Sequence, residues 1–404
     1  MKILLLGEYS NVHWTLAEGL RKLGHNVTVV SNGDFWKDYP RDIDISRKPG
    51  KIGGIKLYIK LLRMLPKLRG YDIVQLINPL FFELKAERLF FFYNYLRKHN
   101  RKIVLGAFGM DYYWVSTCCT TMPLRYSDFN IGKELRTNAD ALKERKDWLA
   151  TTKEKLNKRI ANDCDGIVTG LYEYWVSYQP IFNEKTVFIP FPVQTDNKRT
   201  AQHAEGSKVK LFIGISKNRS EYKGTDIMLK AAKDMQKEYA DRIELKIADG
   251  VPFTQYVELM NGSDAILDQL YSYTPSMNPL EAMSRGIICI GGGEPENYEI
   301  LNENTLRPIL NVEPNYESCC CAIKQLVDHP EKISQLQQDS ITYVKKHHDY
   351  LKVARAYEAF YNKLLTKKIS LCVWVGLRNT FVKTVAMKAI STKARGSWDR
   401  PLNR

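Results

Sequence analysis

Three cations, Lys217, Arg219 and Lys223, fall within the segment GISKNRSEYKG at residues 214–224. The apolar run VKLFIG leads into it, and Lys223-Gly224-Thr225 has the composition of a helix start. Gly214, following a strand, permits close approach of a backbone or a ligand, and the start of a helix offers unpaired amides. An anion of phosphate size would meet side-chain charge and backbone donors together there. A solvated basic turn would have the same composition, so the residues alone leave both readings open.

A second constellation is SMNPLEAMSRGIICIGGGEPENYEI at 276–300. Asn278 and Pro279 can open a helix, Glu281 lies in its first turn, and Arg285-Gly286 closes it before an apolar strand. Glu281 either accepts hydrogen bonds from ligand hydroxyls at the mouth of a sheet or caps its own helix. Gly291, Gly292 and Gly293 supply permissive backbone beside Glu294, suited to a ligand or to a surface turn. Other chemistries fit poorly. The first turn, GEYSNV, lacks GxGxxG, IGKEL is no Walker loop, and HExxH, catalytic zinc spacing and GxSxG are missing. The pairs Asp42/Asp44 and Asp163/Asp165 suit structural or surface roles better than a divalent ion, so no metal site is expected.

These segments need a scaffold, and the chain alternates in the way an α/β protein does. Strands are expected at Ile3–Leu6, Asn26–Val30, Asp72–Ile77, Lys102–Leu105 and Gly166–Val168, with helices at Val12–Leu23, Glu83–Lys98 and Asp140–Asn162. A polar stretch, 194–208, reads as a linker. A second alternation follows, with strands at 209–214, 243–248, 265–270 and 286–291 and helices from Gly224, at Thr254–Met260 and at Asn278–Ser284. Helical composition resumes over Tyr316–Val327, Glu331–Lys346 and Tyr350–Leu365, with Pro330 interrupting it. The expected organisation is an N-terminal Rossmann-like domain over 1–193, the linker, and a second such domain over 209–348. A terminal helix at 349–365, placed to cross back to the first domain, and a basic tail over 366–404 complete it.

A chain of 404 residues has ample length for two domains, and 44% hydrophobic with 26% charged residues excludes a disordered polyelectrolyte. The MKILLLGEYS start turns polar by Glu8 and reads as a buried strand rather than a secretory signal. No apolar run approaches the roughly 20 residues of a membrane span. The eight cysteines follow neither a disulfide nor a metal pattern, which suits reduced intracellular thiols. The net charge is +15, and the tail carries nine Lys or Arg against one Asp, so more than half of it lies there. The tail segment 369–389 and the aromatic cluster ERLFFFYNYLRK at 87–98 suggest contact with an anionic membrane, although the aromatics would equally suit the core.

Taken together, YKGTDIMLKAA at 222–232, PLEAMSRG at 279–286 and GGGEPE at 291–296 resemble GT-B glycosyltransferases, in particular the family-four retaining class. The resemblance covers about residues 1–365. It implies two Rossmann-like domains facing across a cleft, with a nucleotide diphosphate sugar as donor and no cofactor. Arg219 and Lys223 would hold the diphosphate, Glu281 the ribose, and Gly291 to Glu294 the sugar or diphosphate. Tyr273 stands where the family has the first of two glutamates, which leaves the donor-sugar contact altered. On the acceptor side the resemblance points to Gly7 and His13, and in GAFGMDYYW to Asp111, with Phe108 replacing the family's histidine. Asp111 either binds donor or acceptor hydroxyls or caps a turn.

The implied activity is transfer of a hexose-like group to a hydroxyl of a glycan or lipid-linked acceptor. Its implied setting is cell-envelope polysaccharide or glycolipid assembly, in the cytoplasm at the inner face of the membrane. The rivals are a noncatalytic nucleotide-sugar-binding protein, with Tyr273 in its favour, and a basic nucleic-acid-binding protein. No nucleic-acid module is present in the sequence, so no specific nucleic acid is expected.

Overall fold

Fully apolar strands must be covered on both faces, and that requirement organises both halves of the chain. In the computed structural model, which describes residues 1–196, 199–201, 203–215 and 219–366, they build two parallel sheets. Lys217 and the tail from 367 onward lie outside the described residues. The strands of the first sheet are β1 (Lys2–Leu6), β2 (Asn26–Ser31), β3 (Ile43–Asp44), β4 (Ile73–Leu76) and β5 (Lys102–Ala107). A small antiparallel pair, β6 (Asn130–Ile131) and β7 (Glu134–Leu135), precedes β8 (Gly166–Thr169) and β9 (Thr186–Phe188). The order is β3-β2-β1-β4-β5-β8-β9, so the direction of winding reverses between β1 and β4.

The second sheet uses β10 (Val209–Ile215), β11 (Ile243–Asp249), β12 (Ala265–Leu267), β13 (Ile288–Gly291) and β14 (Leu310–Asn311). Its order is β11-β10-β12-β13-β14, with the reversal between β10 and β12. Position shows in composition. Ile3 to Leu6 of central β1 are wholly buried, whereas β11, at the edge, carries half-buried Glu244 and Lys246.

Two expectations change. The helix foreseen from Asp140 to Asn162 is two helices, Ala139–Trp148 and Thr152–Asp163. Ala150 turns between them at φ +57°, its amide donates to Glu154 Oε2 at 2.6 Å, and Trp148 is thereby turned into a core with Trp114 and Phe129. The aromatic cluster at 87–98 lies in the helix Ala86–His99, where Phe92 and Tyr93 are fully buried and Phe91 is exposed. A helix at Gly50–Met64 has no counterpart among the expectations.

The chain passes between the halves side by side at Val193 and Asp349, which form a parallel bridge. Val193 N donates to His348 O at 2.7 Å, and Tyr350 N donates to Val193 O at 3.1 Å. The helix Tyr350–Thr366 then lies against the first sheet. Tyr361 Oη donates to Gln75 Oε1 on β4 at 2.7 Å, and Glu358 meets His25 at 2.9 Å. Gly19 leaves room for this helix, because a Cβ there would stand 2.6 Å from the Tyr350 carbonyl.

Candidate active site

The carboxyl ends of β10 and β12 flank the reversal of the second sheet, where open α/β sheets characteristically take ligands. A cavity of about 320 Å³ lies there, between the two halves. Gly214, Lys223, Asp268, Asn278 and Glu281 line it from one side, and Ser10, Lys37 and Tyr39 from the other.

Lys223 ends a single helical turn, Ser220–Lys223, and Gly224 follows at φ +75° before the helix Thr225–Glu238. A side chain at Gly224 would be strained, and its Cβ would stand 2.8 Å from Leu270 Cβ. This turn fixes Lys223 because Leu270 N donates to the Lys223 carbonyl at 2.9 Å. Burial lowers the Lys223 pKa, the Asp268 carboxylate opposes that, and Arg219 adds to the lowering. Burial likewise raises Asp268, with Lys223 opposing. Arg219 is exposed and lies over the Tyr222 ring at 4.9 Å.

Glu281 lies past the first turn of Met277–Ser284, not within it, and pairs with Arg285 at 2.6 Å. It therefore does not cap that helix, and it faces the cavity. A Cβ on Gly214 would stand 2.5 Å from Tyr256, so the close neighbour this glycine admits is that ring. Tyr256 Oη in turn hydrogen-bonds the Asn278 side chain at 2.9 Å. Asp268, Tyr256 and Lys37 are not among the expected site residues, and Asn278 is expected only as a helix start. The acid closing the apolar run AILD was the available signal for Asp268.

A larger cavity, about 850 Å³, opens where the first sheet reverses. Gly7, Glu8 and Tyr9 after β1 line it, with Phe81, Phe82 and Ile55. Gly7 stands at φ +84° against Ile77. Glu8, also missed, is buried and accepts from His13 N at 3.1 Å and Trp14 N at 2.9 Å. Burial pushes its pKa up to about 8.

No protein-family model and no curated protein matches the chain. Solved structures do match. Sucrose-phosphate synthase from Thermosynechococcus elongatus superposes with a TM-score of 0.60 at 11% identity, over 91% of this chain and 100% of that one. HepE from Anabaena, in complex with UDP-glucose, gives 0.54 at 13% identity over 90% and 100%. The catalytic domain of starch synthase IV from Arabidopsis thaliana, bound to ADP and acarbose, gives 0.52 at 10% identity over 91% and 100%. The chain has the GT-B fold.

Within this GT-B frame several expected site residues are already engaged. Tyr273 is 1% exposed. Its hydroxyl accepts from Arg125 N at 2.6 Å, its ring packs on Tyr126 and Tyr172, and Arg125 covers it at 5.0 Å. It faces the first half of the chain rather than open space for a sugar. Glu294 is held by Arg125 Nη2 at 2.6 Å and by the Tyr126 hydroxyl. Gly291, Gly292 and Gly293 do not adopt positive φ. A Cβ on Gly292 would stand 2.2 Å from the Ser272 carbonyl and one on Gly293 2.6 Å from Ile309, so close packing requires glycine there.

Asp111 is the N-cap of the helix Tyr112–Cys119. One oxygen accepts from Trp114 N at 2.9 Å and the other from Tyr178 Oη at 2.7 Å, and burial raises its pKa to about 6. Of the two roles expected for it, the structure shows the cap. His13 is fully buried, with Nδ1 2.8 Å from Gly7 O and Nε2 3.2 Å from Gln75 Nε2. Burial lowers its pKa to about 3, and in this neutral form it braces the first turn.

The residues holding this arrangement were also unforeseen. Glu173 accepts from the amides of Tyr273 at 2.7 Å and Thr274 at 3.1 Å. Arg136 Nη2 donates to Glu221 O at 2.6 Å, and its guanidinium lies 3.4 Å over the Tyr271 ring.

Proposed function

We propose that the chain is a glycosyltransferase that moves a sugar from a nucleotide diphosphate sugar to a hydroxyl of a glycan or lipid-linked acceptor. The reading includes retention at the anomeric carbon and no required metal ion. The observation that carries it is the cleft cavity that brings half-buried Lys223 together with Glu281. A nucleotide diphosphate needs a cation for its phosphates and an acceptor for its ribose hydroxyls, and these two residues supply both. HepE, of the same fold, is a complex with UDP-glucose, and the starch synthase domain is bound to ADP. A nucleic-acid groove is dominated by cations, whereas Asp268 and Glu281 stand among the lysines here.

Breaking the bond between the sugar and the diphosphate concentrates negative charge on the leaving group. Lys223, the nearby Arg219 and the amides at the start of Thr225–Glu238 meet that charge in the cleft. On this reading the enzyme works in the cytoplasm at the inner face of the membrane, in cell-envelope polysaccharide or glycolipid assembly, which the net charge of +15 supports. The test is mass-spectrometric detection of transfer from a panel of nucleotide sugars, with lipid-linked acceptors included. Lys223→Ala should cut turnover roughly 30–1,000-fold while the fold persists. A well-folded variant with wild-type turnover and donor affinity overturns the assignment.

A further inference from the structure

Between Asp44 and Asp72 the sequence contains eight Lys or Arg and no Asp or Glu. The helix Gly50–Met64 occupies the middle of this segment. It buries Gly53, Leu57, Leu61 and Met64 against the first half of the chain. The opposite face carries three exposed isoleucines: Ile52 is 71% exposed, Ile55 53% and Ile59 42%. At 100° per residue these three isoleucines fall within an arc of about 60°. Lys51 flanks the stripe on one side and Lys56, Lys60 and Arg63 flank it on the other, all exposed.

We infer that this face docks on an anionic lipid bilayer, with the isoleucine stripe entering the headgroup boundary and the lysines meeting lipid phosphates. A water-facing helix gains nothing from three aligned isoleucines, and a protein interface of ordinary composition would be poor in lysine. An apolar stripe edged by cations matches the chemistry of an acidic membrane surface. Neighbouring charges leave this balance intact. Glu83 is paired with Arg47 at 2.6 Å, and Arg88 stacks on Tyr58 at 4.8 Å. Lys51 and Ile55 also line the 850 Å³ cavity, so docking would bring that opening to the lipid headgroups. The inference locates membrane contact on the first half of the chain, apart from the tail, and it holds whether or not sugar transfer is the activity.

Hydrogen–deuterium exchange of the full chain with phosphatidylglycerol vesicles locates the contact without any variant. Protection of residues 50–64 is expected, with little from pure phosphatidylcholine. Co-sedimentation then compares Lys51→Glu/Lys56→Glu/Lys60→Glu and Ile52→Ser/Ile55→Ser/Ile59→Ser with the parent chain. Each set should lower partitioning at least about tenfold. Unprotected residues 50–64, or either folded variant sedimenting like the parent, would overturn the inference. Equal protection by single-stranded RNA at matched phosphate concentration would overturn it too, by showing a general polyanion site.

Discussion

Arg125 Nη2 stands 2.6 Å from Glu294 Oε2, joining the first half of the chain to the loop that follows β13 in the second. Arg125 Nη1 reaches Glu296 Oε1 at 2.7 Å, and the Arg125 amide donates to Tyr273. One residue thus secures both the glycine loop and Tyr273.

Removing that guanidinium should loosen the cleft. Arg125→Ala leaves the buried Glu294 with the Tyr126 hydroxyl as its remaining side-chain partner. The arginine side chain is half open to solvent, so the cost should be about 1–2 kcal/mol rather than the full value of a buried pair. Thermal melts should show it, and small-angle scattering should report a wider distribution of dimensions than for the parent.

The lowered pKa of Lys223 sets the sign of an alkaline effect. In the free enzyme its ammonium is lost at a lower pH than the usual 10.5, so kcat/KM should fall on an alkaline limb beginning below that value. Lys223→Arg should move the limb upward, and an unmoved limb would assign it to another group.

Metal independence is open to direct measurement. Transfer should proceed at an undiminished rate in excess EDTA, because cationic side chains rather than an ion are proposed to meet the leaving charge. A rate restored only by added divalent ion would require a metal in the reaction.

Glu303 governs an acid-sensitive contribution to stability. It is buried and meets Lys346 at 2.7 Å and His347 at 2.6 Å, and these contacts with nearby amides outweigh burial to lower its pKa. A depressed carboxylate value means a contribution that is full above about pH 5.5 and is lost as pH falls through the folded value. His347, lowered mainly by burial, acts in the same direction, since the unfolded chain takes up its proton first. Glu303→Gln should destabilise by about 1.5–3 kcal/mol at pH 7 and flatten the acid limb of stability against pH.

The central strands could be read from the sequence because both their faces are apolar, which makes runs such as ILLL in β1 continuous. The helix Gly50–Met64 was hidden by Gly53-Gly54 and by lysines among its apolar residues. The segment around Lys223 and Glu281 was visible as local chemistry. The clamp was not, because Arg125 and Tyr273 are separated by 148 positions and nothing in either segment points to the other. Tyr273 was noticed as a departure, yet only the fold shows that an arginine and two tyrosines cover it.

The return of the helix Tyr350–Thr366 to the first sheet has a consequence during synthesis. Gly19 and Gly166 are shaped to receive residues that leave the ribosome more than 180 positions after Gly166. The first half can assemble its strands early, but the surface beside Gln75, His25 and Gly166 stays uncovered until nearly all of the second half has been made. Completion of the first sheet is thereby tied to a helix made after the second, which couples the order of translation to the moment at which the first half becomes stable.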